Sequence, residues 1–294
     1  PLSDADIISA QLYSNAGENK KSFNDQWEYI NKLANELSSR KIIDIDGVLQ
    51  QFMYINRAIN REYISINKEE KESVDVTTPG LRRYYTDIKK ELLNEPLVLC
   101  NKLTKITDIW NKIKDYPTVK LLLKCNENAK LFLSGYLYRY ETTEITEENI
   151  LDLCECLLRL FTVLELSDAG YSSSKFKTFL FGENIKLVDK NISIDTIKNN
   201  FNEHINNNWN PDTISDAIIE YEKNLLVFLN EYVYAKNKSA KFDFAENVNI
   251  EHIMPASGRN LTTIQRDANI ATKEEFNSIV NKLGNKILLE EDIN

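Results

Sequence analysis

Along most of the first 235 residues, apolar side chains return every three or four positions and short polar breaks separate the runs, a pattern that predicts a series of helices. Ser3 with Asp4 and Asp6 reads as an N-cap with acids in the first turn, and Ile7, Ile8 and Leu12 begin the first apolar stripe. Trp27, Ile30, Leu33 and Leu37 carry a second stripe over 23–37, and Val48, Leu49, Phe52, Met53, Ile55 and Ile59 a third over 46–63. Residues 67–80 are the first clear break, ending in the turn chemistry of Thr77-Thr78-Pro79-Gly80. Helical patterning resumes over 81–93 and returns at 99–114, 118–139, 147–167, 173–180, 193–207 and 212–235, with Asp212 expected to cap the last. No internal repeat of fixed period is visible.

The texture changes near residue 236. A polar linker, 236–241, leads to Val248-Asn249-Ile250-Glu251-His252-Ile253, which alternates as a short strand does and is stopped by Pro255. Residues 256–271 read as a loop. Thr272-Lys273-Glu274-Glu275 is a capping box opening a helix with Phe276, Ile279, Val280 and Leu283, and Gly284 is placed as its C-cap. Lys286-Ile287-Leu288-Leu289 is a second short strand. The expected fold is thus mainly α: a helical region over 1–240, then a small unit over 241–294.

Composition narrows the class. Hydrophobic residues make up 42% and charged residues 28%, as in folded domains, and 8 Gly with 6 Pro among 294 residues are too few for a turn-dense β protein. No run reaches the ~18 uncharged apolar residues of a membrane span. The N-terminus has no secretory pattern, and Cys100, Cys125, Cys154 and Cys156 form no C-x-x-C pair, so reduced thiols and a cytoplasmic location are expected. Without an initiator Met, the chain is expected to be a processed product or part of something longer. The net charge of −9 argues against a nonspecific nucleic-acid coat. It is unevenly spread: 81–130 carries 11 basic and 6 acidic residues, so a local basic face fits within an acidic chain.

The candidate chemistry lies in the last 44 residues. Glu251 and His252 sit side by side at a strand end. Alternation sends their side chains to opposite faces unless the strand bends, which Pro255 favours. Asn285 and Asn294 complete the polar set. Such residues suit metal-assisted phosphodiester hydrolysis. A carboxylate (Glu251) and an amide oxygen (Asn294) are hard donors for Mg²⁺ or Mn²⁺, and a neutral imidazole (His252) takes a proton from the attacking water.

Glu251-His252-Ile253-Met254-Pro255, then Leu283-Gly284-Asn285 and Asn294, resembles the HNH motif of GmrSD-type restriction endonucleases, and Leu2 to Ile8 resembles the segment after the Asn-x-Arg-Gly turn of that family's nucleotide-binding domain. The resemblance implies a ββα-metal unit, C-terminally incomplete because its last helix should begin near Asn294. It implies His252 as general base, Glu251 and Asn294 as metal ligands, and Asn285 as the brace of the histidine loop. It further implies a bacterial defence enzyme cutting DNA, often modified phage DNA, with NTP used only through an N-terminal nucleotide-binding domain outside this chain. Lys286 stands where the family usually has an apolar residue.

Other readings stay open. Arg82, Arg83 and Tyr84 could grip and stack on nucleic acid, or be a helix turn with surface arginines and core tyrosines. His204 reads as a solvated helix residue. The whole could instead be an oligomerising or regulatory helical scaffold, for instance a homodimer, with a degenerate HNH remnant, or an RNA-cutting nuclease.

Overall fold

A computed structural model of the protein describes residues 2–66, 72–169, 174–244 and 247–290. The described residues are mainly helical, with fourteen α-helices and two separate two-stranded antiparallel sheets. The first helices follow the stripes. In α1 (Asp4–Asn15) Ser3 and Asp6 cap each other: the Asp6 amide donates to Ser3 Oγ (3.1 Å) and the Ser3 amide to Asp6 Oδ2 (2.9 Å). α2 (Lys20–Ser39) and α3 (Ile45–Ile59) bury the expected apolar faces.

The centre of the core is α5 (Pro96–Ile113), opened by Pro96 in its first turn. It packs on α2 and α3, and on α7 (Ala129–Leu137). Its Leu103, Ile106, Trp110 and Ile113 are fully buried. Trp110 Nε1 donates to Ser134 Oγ at 3.1 Å, so the one polar atom of the ring is satisfied inside the core. α8 (Glu147–Leu166), α9 (Ser174–Val188) and α10 (Ile194–Asn208) extend the same apolar cluster. Among the described residues no helix is long and apolar enough to cross a membrane. All four cysteines are free thiols, and burial pushes Cys100 and Cys154 up to about 12.

Several segments differ from expectation for identifiable reasons. The stretch 118–139 is two helices, α6 (Pro117–Cys125) and α7, because Asn126 turns extended and its Oδ1 accepts from the Asn128 amide, diverting the backbone from helix. Residues 212–235 likewise divide into α11 (Pro211–Ile219), capped by Asn210 rather than Asp212, and α12 (Leu225–Asn237). Residues 81–93 are one helical turn, α4 (Leu81–Arg83), then a wide turn over Tyr84–Ile88 and a tight one over Lys90–Asn94. Neighbours on a regular α-helix diverge by about 100°, and the widened turn lets adjacent Tyr84 and Tyr85 both enter the core. Around the 67–80 break lie two strands that the sequence did not announce, β1 (Ile64–Ile66) and β2 (Glu72–Val74). Residues 67–71 themselves lie outside the described ones.

Replacing Ser134 by Ala leaves the Trp110 indole N–H buried without a partner. The expected cost is about 1–3 kcal/mol, read from a urea unfolding curve with an unchanged slope.

Candidate active site

The second sheet is built from β3 (Val248–His252) and β4 (Lys286–Glu290), paired so that His252 faces Lys286 and Glu251 faces Ile287. Between the strands run α13 (Leu261–Asp267), inside the stretch expected as loop, and α14 (Lys273–Asn281). Thr272 caps α14 as expected, its hydroxyl accepting from the Glu275 amide at 3.1 Å. Gly284 is not its C-cap: the helix ends at Asn281, and Gly284 sits in a tight turn over Leu283–Asn285, outside the left-handed region.

Alternation decides the placement of the candidate residues. Val248, Ile250 and His252 are half-buried, whereas Asn249 and Glu251 are exposed. Strand pairing runs through His252, and the bend comes after it, at Ile253 and Met254. Glu251 and His252 therefore project from opposite faces at the end of the hairpin. Val248 and Leu288 share a recess of about 320 Å³ with Phe228, Phe242 and Phe244, which docks the hairpin's inner face on α12.

The bend after His252 is held by one side chain. Asn285 Oδ1 accepts from the Met254 amide (2.7 Å), and Asn285 Nδ2 donates to Met254 O (3.0 Å) and Val280 O (2.8 Å). The Asn285 carbonyl accepts from the Ile253 amide at 2.9 Å. The amide thus pairs with both polar groups of Met254 as a neighbouring strand would. His252 Nε2 is buried without a hydrogen-bond partner among the described residues. Asn294 lies outside the described residues. Among the described residues no three His, Cys, Asp or Glu side chains gather in a metal-sized cluster.

Lys286 escaped the reading as a site residue, although a lysine heading an otherwise apolar strand was its signal. It is 6% exposed, and its Nζ donates to Glu222 O and to Asn224 Oδ1 (2.9 Å). Burial pushes its ammonium below the ordinary lysine range, against the opposing pull of Glu222.

The second candidate group belongs to a different neighbourhood, packed on α1 and α3. Arg82 pairs with Asp4 at 2.8 Å, and Arg83 is exposed. Tyr84 is fully buried, its hydroxyl accepts from Asn56 Nδ2 (2.8 Å), and burial pushes the phenol up to about 12. It presents no ring to a ligand, so a base-stacking role is overturned. His204 is not simply solvated either: its ring stacks on Phe179 at 3.9 Å and meets Trp209 edge-on at 5.6 Å.

Glu251-His252 thus close β3, and the Asn285 clamp stands just before β4 at the same end of the pair. Residues 195–294 match the family model of the GmrSD restriction endonucleases, C-terminal domain, so that span is similar to that family. Searches of the curated proteins and of the solved structures returned no match.

Asn285→Ala removes all three side-chain bonds to Met254 and Val280. Amide hydrogen exchange at Met254 should rise toward that of an open loop while amides in α5 keep their protection, which mass spectrometry of peptic fragments resolves.

Proposed function

We propose that residues 241–294 form a metal-dependent endonuclease unit acting on DNA phosphodiesters, and that residues 1–240 are a helical region that positions the DNA. In this reading the helical region couples the unit to a nucleotide-binding domain outside this chain, and the enzyme serves anti-phage defence against modified DNA. The observation that carries the reading is the Asn285 clamp on Met254, which fixes the backbone immediately after His252. The family matched over 195–294 supports DNA as the substrate class.

The donor chemistry fits Mg²⁺ or Mn²⁺. Glu251 offers an exposed carboxylate at the strand end, and Asn294 an amide oxygen, both hard donors for a cation that keeps several waters. Bound there, the ion supplies charge stabilisation at the phosphate and leaving oxygens. The protein's own residues do the rest. Glu251 and His252 are the last two paired residues of β3 and leave it on opposite faces, so in this reading a phosphate is held around the strand end, with the carboxylate on one side and the imidazole on the other. With Nε2 turned inward, His252 Nδ1 is the nitrogen we assign to accept the proton of the attacking water. Asn285 touches no reacting atom and acts by holding the loop.

Plasmid DNA and RNA of the same sequence are offered with Mg²⁺ or Mn²⁺. DNA cleavage should stop with a chelator and fall ~10²–10⁴-fold in His252→Ala, with thermal unfolding unchanged. Preferential RNA cleavage supports the RNA-cutting reading. A folded protein that cuts neither substrate sinks the nuclease reading in favour of a scaffold.

A further inference from the structure

We propose that Lys286 is a positioning residue of the His252 site, tying the base of the hairpin to the turn between α11 and α12. The inference rests on the nuclease reading for its catalytic consequence, but its structural part stands on the contacts alone.

A lysine buried to 6% exposure is costly unless its N–H groups are taken. Here two of the three are taken, by the Glu222 carbonyl and the Asn224 side chain. Asn224 is the N-cap residue of α12, yet its side chain makes no capping bond to its own helix. An asparagine there ordinarily accepts from the helix's second or third amide. This one is turned to the lysine instead.

The same turn holds the hairpin at further points. The Leu283 amide donates to Tyr221 O (2.8 Å), and Lys282 Nζ meets Glu220 (2.9 Å). Lys286 is the residue after the clamp Asn285 and lies directly across from His252. Its anchorage therefore fixes both the strand that faces the imidazole and the amide that holds Met254. Residues clamping the loop from one side have little hold if the strand carrying them can slide. The turn is in turn fixed to α8, because Tyr221 Oη donates to Glu165 Oε1 at 2.9 Å.

The test compares wild type, Lys286→Met, Asn224→Ala and Asn224→Asp in the whole chain. Methionine keeps the length of the stem and removes the ammonium. Asn224 is exposed and caps nothing, so its truncation leaves the core alone. In Lys286→Met and Asn224→Ala, exchange at Ile253 and Met254 should quicken at least ~10-fold, and kcat for metal-dependent cleavage should fall ~10–100-fold with KM little changed, the range seen for residues that orient a site from behind. Asn224→Asp keeps an acceptor for the lysine and should restore both. Wild-type exchange at 253–254 in both Lys286→Met and Asn224→Ala overturns the proposal, and if the methionine variant does not fold, Asn224→Ala decides alone. If wild type cuts nothing, the nuclease reading fails while the exchange comparison still judges the tether.

Discussion

The geometry of the candidate site depends on the pairing of one side-chain amide with one peptide group. After His252 the chain leaves the sheet and runs into Pro255, which has no amide hydrogen to give. Ladder bonds alone would leave the Ile253–Met254 bend loosely set. Asn285 continues the ladder with its side chain, giving and receiving one bond each at Met254, while its own carbonyl takes the Ile253 amide. An Asp could accept but not donate, and a Gln would place the amide one methylene further out. The requirement is for this amide on this stem, and it explains the residue type without appeal to direct chemistry by Asn285.

A two-stranded hairpin is marginal by itself in water. This one gains its stability from what it lies on. Its inner face shares an aromatic recess with α12, and its lower end is held by the 220–224 turn. Phe276 and Val280 of α14 are buried as well, and α14 packs on the Leu283–Asn285 turn that leads into β4. The large apolar cluster around Trp110 therefore supports the site indirectly, through α8 and the turn that Tyr221 pins to Glu165.

Much of this was legible along the chain, because the signals are local. The Ser3 and Thr272 caps, the apolar stripes of α2, α3, α5, α8 and α10, the alternation of β3 and the short apolar run of β4 all depend on residues within a turn or two of each other. What was not legible depends on distant partners. The separation of α11 from α12 follows from a buried Tyr221 that bonds Glu165, 56 residues away in sequence. The widened turn at Tyr84 follows from two rings that both find room inside. β1 and β2 are three residues each and largely exposed, with too little alternation to read. The pair Glu251-His252 was visible as chemistry, but whether the bend fell before or after the histidine was set by strand pairing, which no spacing rule gives.

Lys286 shows why an apparently unfavourable residue can specify a structure. An apolar side chain at the head of β4 would avoid the desolvation of an ammonium. It would also pack acceptably in more than one register. In a strand, a slip of one residue exchanges the two faces. Such a slip here would carry the ammonium to the outer face, away from Glu222 and Asn224, and bring Ile287 across from His252. The lysine's two acceptors reward only the register in which Asn285 stands beside Met254. The cost of burying the charge is thus offset in a single alignment of the hairpin, the one that presents His252 and Glu251 at the strand end.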